Sequence, residues 1–259
     1  MLQAHSLLWY YLWLAPNLLL LNLALLMWRR KLHRQFPVFF IFSVVISIEQ
    51  LTLFFIDVTP SISPPTWWYV FWAGLLAEAL VKFALIGEIF SSVFGRYPSV
   101  AKLGKLFISG VGVVLVLLAT VAAVYTTKDN TSWIISYAHI LEQTIFMVEC
   151  GLILFLFLFA AYLKLHWNRP SFGIALGLGI SACVPLATWA LMANGHFSSA
   201  HNRDLLDILN MATYHVSVLI WYYYLLFPGK NKSDRGGSPP PPEHHLEVWN
   251  AELERLLHQ

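Results

Sequence analysis

The sequence is poor in charged residues, and this deficit sets the class of protein. Only 12% of the 259 residues are Asp, Glu, Lys or Arg, and 58% are hydrophobic, whereas charged residues make up about 25% of an ordinary soluble domain. The formal net charge of +2 is too small to indicate binding to nucleic acid. The sequence therefore predicts an integral membrane protein whose environment is the lipid bilayer and which has no nucleic-acid partner.

Cysteines and enzyme motifs are also scarce. The two cysteines, Cys150 and Cys183, both fall within apolar stretches and cannot form the disulfide framework of a secreted scaffold. The sequence contains no H-E-x-x-H, G-x-S-x-G or Walker motif. These absences favour a function other than catalysis, and the sequence indicates no particular cofactor.

Long apolar stretches recur along most of the chain, as they do in membrane-spanning helices. We predict an all-α, polytopic membrane protein in which residues 1–227 form a bundle of seven transmembrane helices. The predicted spans are 7–28, 38–58, 67–91, 106–125, 133–163, 172–192 and 205–227. Basic residues follow the first span instead of preceding it, so we expect this span to be a retained anchor and not a cleaved signal peptide.

The basic residues between the spans lie mainly on one side of the predicted bundle. The other side has only Lys128 and Arg203. By the positive-inside rule this asymmetry places the N-terminus outside and the C-terminus in the cytoplasm, and we expect the protein in the plasma (cell inner) membrane. The basic residues on the predicted cytoplasmic side are Arg29, Arg30, Lys31, Arg34, Arg96, Lys102, Lys105, Lys164, Arg169, Lys230, Lys232 and Arg235.

The composition changes sharply after the last span. Residues 228–242 form a Pro- and Gly-rich linker, and residues 243–259 have the pattern of a short amphipathic helix. Its apolar positions within 246–257 favour binding to a cytoplasmic protein, self-association or contact with the membrane surface. The alternative is a frayed tail, because isolated helices of this length are barely stable in water.

The third predicted span carries two charged residues near its middle, Glu78 and Lys82. Charged residues inside a membrane are costly, so they usually face the interior of a bundle and find partners there. Because the two residues are four positions apart, with Glu on the N-terminal side, they lie on one helix face in the favourable order for an ion pair.

Ionisable residues of four spans fall at a common depth. Glu49, Glu78, Lys82, Glu149 and His215 all lie near the middle of their predicted spans, within several ångströms of the midplane at about 1.5 Å per residue. We interpret this layer as a site that binds a ligand or protons, since three carboxylates beside one lysine cannot all stay ionised. The alternative interpretation is a structural polar network that fixes the helix packing.

A second polar group lies nearer the predicted outer side. His139 and Glu142 on the fifth span, together with Asp204 and Asp207, are candidates for a path from outside to the midplane layer; the alternative is ordinary hydrated residues at the interface. The spacing His139-x-x-Glu142 also occurs in metal sites of helical bundles. No second copy of the motif is present, so a metal remains an open alternative with no assigned ligands.

These features lead to three hypotheses for function. The first is a receptor or sensor-like module in which the midplane site acts on the cytoplasmic tail. The second is a transporter or proton-coupled carrier that uses the same site, and the third is a metal-dependent membrane enzyme. The linker and amphipathic tail favour the first.

Overall fold

The computed structural model of the protein describes residues 6–59, 64–94, 110, 131–162, 167–193 and 200–227. These residues form six α-helices and one short 3-10 helix, and no strand occurs among them. The predicted fourth span at 106–125 (apart from position 110), the linker at 228–242 and the predicted helix at 243–259 lie outside the described residues. The helices that are described are α1 (Leu7–Arg29), η1 (Leu32–Arg34), α2 (Pro37–Val58), α3 (Pro64–Val93), α4 (Thr131–Tyr162), α5 (Arg169–Ala193) and α6 (Ala200–Leu226).

Five of the described helices contain a segment that is long and apolar enough to cross a membrane. These segments identify a multi-pass membrane protein, since a span needs about 20 predominantly apolar residues. The helix α6 is not among the five, and its first turns contain Arg203, Asp204 and Asp207. The five segments are Leu7–Arg29, Pro37–Val58, Thr66–Val93, Glu142–Tyr162 and Arg169–Met192.

The described helices follow one another around a ring. Each helix contacts the next in the chain, α6 returns to contact α1, and α3 also contacts α5 across the ring. Large apolar side chains remain exposed on the outside, including Phe55, Leu154 and Leu219. Because an aqueous protein seldom exposes so many apolar side chains together, the outer surface fits a lipid environment.

Close packing of α5 against α6 depends on a G-x-x-x-G pair in α5. A Cβ atom at Gly173 would collide with the ring of Tyr224, and one at Gly177 would collide with the indole of Trp221. The Trp221 Nε1–H donates to the carbonyl oxygen of Ile174 at 3.2 Å. Small residues at this spacing allow helices to approach closely where no hydrophobic effect drives their association.

The aromatic rings of α2 extend this contact across the bundle. The ring of Trp221 lies 5.4 Å from that of Phe39 and 5.6 Å from that of Phe42, both in edge-to-face orientation. All three side chains are fully buried. The core therefore joins α2, α5 and α6 through aromatic contacts near one end of the bundle.

Two side chains bind the ends of neighbouring helices at this same end. The carboxylate of Glu88 accepts hydrogen bonds from the backbone N–H groups of Val38 and Phe39, each at 3.1 Å. Glu88 thus caps the first turn of α2, which begins at Pro37, where free N–H groups and the helix dipole favour an anion. At the C-terminus of α6, Arg30 Nη1 donates to the carbonyl oxygen of Leu226 at 3.1 Å.

Candidate polar site within the bundle

A single ammonium group connects α3 with α4. Lys82 Nζ lies 2.9 Å from a carboxylate oxygen of Glu78, one turn earlier in α3, and 3.0 Å from Oε2 of Glu149 in α4. The Lys82 and Glu149 side chains are 6% and 0% exposed, whereas the Glu78 side chain is 23% exposed. The ring of Phe146 lies 5.0 Å from the ammonium, where its face adds a cation–π attraction. Lys82 is therefore the central cation of a buried cluster.

Glu49 brings a third carboxylate to the cluster from α2. Its side chain packs directly against Gly74 of α3, where a Cβ atom would collide with the carboxylate. The charges of Glu78 and Lys82 both act on this carboxylate. Gly74 lies one turn before Glu78, so the missing side chain creates the space that admits Glu49 beside the ion pair.

Two further residues extend the cluster to α6 and α1. The charges of Glu78, Lys82 and Glu49 act on the phenol of Tyr214, whose hydroxyl donates to Oδ1 of Asn17 at 3.3 Å. Asn17 is 2% exposed, and its Nδ2 donates to the carbonyl oxygen of Trp13 at 2.7 Å. This bond lies within α1, one residue after Pro16, and leaves the amide of Asn17 with both its Nδ2 and its Oδ1 engaged.

The buried carboxylates keep unused hydrogen-bonding capacity. Oε1 of Glu149 and Oε2 of Glu49 are buried and have no hydrogen-bond partner within the described part of the chain. The cluster holds three carboxylates and one ammonium, an excess of two negative charges when all four groups are ionised. An arrangement of this kind can accept protons or a cation, since unpaired negative charge inside a membrane is costly.

Of the five residues predicted to form the midplane layer, the structure connects four and places the fifth elsewhere. Glu78, Lys82 and Glu149 are joined by ion pairs and Glu49 lies beside them. The ring of His215 instead lies 5.9 Å from the ring of Tyr11, and its buried Nδ1 has no hydrogen-bond partner among the described residues.

The phase of α6 places Tyr214, and not His215, on the buried face of the helix. Tyr214 is followed at i+4, i+7 and i+11 by residues that are all buried, and positions at this spacing share one face of a helix. His215 is rotated from that face by about 100°, one residue of a 3.6-residue turn. The buried residues on this face are Val218, Trp221 and Leu225.

The candidate outer path has one described charged member on α4. Glu142 lies two turns before Glu149 on the same helix face, since seven residues nearly complete two turns. Its charge and that of Asp204 both act on Asp207 of α6. His139 is in α4, but its side chain lies outside the described residues.

Within the described residues, neither the carboxylates of Glu142, Asp204 and Asp207 nor those of the Lys82 cluster form a metal site. No group of three or more His, Cys, Asp or Glu side chains there has an arrangement that could hold a metal ion. In the cluster, the ammonium of Lys82 lies between Glu78 and Glu149 and contacts both.

Sequence reasoning missed three participants in the polar contacts of the bundle. Asn17 and Tyr214 form a hydrogen bond to each other near the cluster. The presence of Asn beside Pro in an apolar span was a usable signal for Asn17. Glu88, near the end of the third predicted span, caps α2. Nothing in the sequence around Glu88 indicates that the start of another helix lies beside it.

Comparisons of the chain with protein-family models, with curated proteins and with solved structures find no significant match.

Proposed function

We propose that the protein is a proton-responsive sensor module of the membrane, in which the Lys82 cluster is the proton-binding site. The observation that carries this proposal is one buried ammonium shared by two carboxylates, with a third carboxylate beside it. Two negative charges in excess would be costly in this environment. The cluster therefore keeps at least one proton at neutral pH and changes its proton content when the pH changes.

Protonation of the cluster would alter helix packing, because its members connect different helices. The Lys82–Glu149 ion pair joins α3 to α4, Glu49 fills the space at Gly74 between α2 and α3, and Tyr214 connects α6 to α1 through Asn17. Adding a proton to Glu149 removes the negative charge of its ion pair with Lys82 and so weakens the contact between the two helices. The equilibrium between two helix arrangements then depends on pH.

In this proposal the segment that transmits the signal lies at the cytoplasmic end of a seven-helix bundle whose N-terminus is outside. In this arrangement a helix at 106–125 completes the bundle, and the plasma (cell inner) membrane is its location. The linker at 228–242 follows α6 directly and leads to the amphipathic segment at 243–259. This segment binds a cytoplasmic protein or a second copy of the chain through 246–257.

A distance measurement across the cluster tests the sensor proposal. Spin labels at the exposed positions Ile48 in α2 and Leu154 in α4, in a cysteine-free background reconstituted into vesicles, report the separation of these helices. We expect the distance distribution to change between pH 8 and pH 5, and we expect Glu149→Gln to abolish the change. Glu142→Gln, two turns away on the same helix, is the matched control and should retain it. Distances that do not depend on pH would contradict a packing switch.

A proton-coupled carrier is the second candidate function, and the position of Glu142 favours it. Glu142 and Glu149 share one face of α4, and the charge of Glu142 reaches Asp207, so carboxylates follow α4 from one end towards the cluster. A carrier predicts proton movement into vesicles that contain the protein when a pH gradient is applied, with loss of this flux in Glu149→Gln. A sensor predicts no flux above that of empty vesicles. No observation on the described residues favours the metal-dependent enzyme.

A further inference from the structure

An apolar groove lies on the outer face of the bundle between α1 and α2. Its volume is about 660 Å³. Its polar lining residue is Asn22, whose Oδ1 already accepts a hydrogen bond from the Tyr222 hydroxyl at 2.8 Å. The groove thus offers a mainly apolar surface to an occupant. The lining includes Leu18, Leu21, Leu25, Trp28, Phe40 and Val44.

The length of the groove matches one leaflet of a bilayer. Leu18 and Trp28 are ten residues apart on α1, which corresponds to about 15 Å at 1.5 Å per residue. The hydrocarbon core of a bilayer is about 30 Å thick. One end of the groove lies beside Asn17, in the polar cluster, and the other reaches the end of α1 at Arg29. An acyl chain extending from the interface to the midplane would fit this depth.

Three exposed basic residues lie in sequence next to the end of the groove at which α1 ends. Arg29, Lys31 and Arg34 are exposed, and within the described part of the chain they form no ion pair. Their neighbour Arg30 is occupied by the carbonyl oxygen of Leu226. Lys31 has a left-handed backbone conformation with a φ of 60°, and the chain turns there from α1 into η1, which ends at Arg34.

Aromatic rings connect this basic turn with the groove. The indole of Trp28 stacks on the imidazole of His33 with 4.7 Å between the ring centroids. The ring of Phe40, which also lines the groove, lies 5.8 Å from Trp28 and 5.9 Å from His33. Tryptophan is the side chain typical of the membrane–water interface, so the groove ends at the depth of the lipid headgroups.

We propose that this groove binds an anionic phospholipid of the leaflet on the basic side. One acyl chain lies along α1 and α2, and the phosphate group pairs with Arg29, Lys31 and Arg34. The apolar lining excludes a free phosphate or a soluble phosphate ester as the main ligand, because neither would cover the groove. Attraction of an anionic lipid by each basic residue corresponds to about a five-fold change in affinity.

The test is native mass spectrometry of the protein released from detergent with added phosphatidylglycerol or phosphatidylcholine of identical acyl chains. The parent protein should retain one phosphatidylglycerol in preference to phosphatidylcholine. The variant Arg29→Gln/Lys31→Gln/Arg34→Gln should lose this preference by at least ten-fold. The control Arg96→Gln/Lys102→Gln/Lys105→Gln, which removes the same charge from the sequence between the predicted third and fourth spans, should keep it.

A second variant separates the groove from the charges. Leu21→Trp, at a position 38% exposed in the groove, should lower the binding of both lipids and leave their ratio unchanged, whereas Leu219→Trp, exposed on α6, should change neither. Equal retention of the two lipids by the parent, or an equal loss in the charge-matched control, would overturn the proposal. So would displacement of the lipid by glycerol phosphate at equal concentration, or a lipid-free dimer that Leu21→Trp dissociates.

Discussion

The substitution Lys82→Met removes the ammonium that contacts Glu149 in the described part of the chain, while keeping a side chain of similar length. Glu149 is fully buried and Glu78 is 23% exposed, so the cost comes mainly from stranding Glu149. Breaking a buried ion pair by removing one partner typically costs about 3–5 kcal/mol. We expect the free energy of unfolding to fall by an amount in this range at pH 7.

The dependence of this loss on pH follows from proton linkage. Without Lys82, one further carboxyl group in the cluster must hold a proton. Glutamic acid ionises near pH 4.3 in water, so keeping one protonated costs about 3.7 kcal/mol at pH 7 and about 1 kcal/mol at pH 5. Since the folded variant holds a proton that the unfolded chain releases, the stability of the variant falls relative to the parent as the pH rises.

The assay is equilibrium unfolding in mild detergent titrated with sodium dodecyl sulfate, at pH 7 and pH 5. The control is Lys82→Met/Glu149→Met, which removes Lys82 together with its fully buried partner and leaves Glu78, whose side chain is 23% exposed. Replacing a buried ion pair with apolar residues is often neutral or stabilising, so this variant should lie within about 1.5 kcal/mol of the parent. The reasoning is refuted when Lys82→Met unfolds like the parent at both pH values, or when its loss of stability grows as the pH falls.

Three further changes test the helix contacts. Glu88→Ala should lower the free energy of unfolding by about 1–2 kcal/mol, the cost of losing a helix cap, and Glu88→Gln should recover part of it. Gly177→Leu should disrupt the contact of α5 with Trp221 and lower the yield of folded protein. Unchanged thermal unfolding of this variant would contradict the prediction. Oxidation by copper phenanthroline should block maleimide labelling of both Cys150 and Cys183, whose Sγ atoms lie 3.3 Å apart, without producing dimers; persistent labelling would show that α4 and α5 do not pack as described.

The features of the fold that depend on local sequence could be predicted from the sequence alone. Apolar stretches indicated a multi-pass helical protein, because the bilayer requires continuous apolar segments. The Glu78–Lys82 contact followed from spacing within one helix. The sequence predicted that Glu149 and Lys82 lie at the same depth. It could not predict their contact, because contact also depends on how each helix is rotated about its own axis.

Helix rotation was difficult to read because these helices are apolar around most of their circumference. A span surrounded by lipid and protein lacks the polar face that reveals the orientation of a soluble helix. In the seventh predicted span, depth alone did not distinguish His215 from Tyr214, although only Tyr214 lies on the face with Trp221 and Leu225. The cap that Glu88 provides to α2 depends on tertiary placement and has no signal in either segment.

The closeness of α5 and α6 did have a signal, in the spacing of Gly173 and Gly177. A G-x-x-x-G pair in an apolar helix marks a face where another helix approaches, and here Trp221 and Tyr224 occupy that face. The polar cluster has a similar small-residue signal at Gly74. The sequence does not show which side chain fills the space at Gly74; in the structure it is Glu49.

Infrared spectroscopy of the carboxyl groups tests the central claim, which is that the cluster around Lys82 keeps a proton at neutral pH. We predict a protonated-carboxyl stretching band at pH 7 that weakens as the pH rises and is lost in Glu49→Gln, Glu78→Gln or Glu149→Gln. Glu142→Gln, outside the cluster, should leave the band unchanged. A spectrum at pH 7 without a protonated carboxyl, or a band that survives in all three cluster variants, would contradict the account.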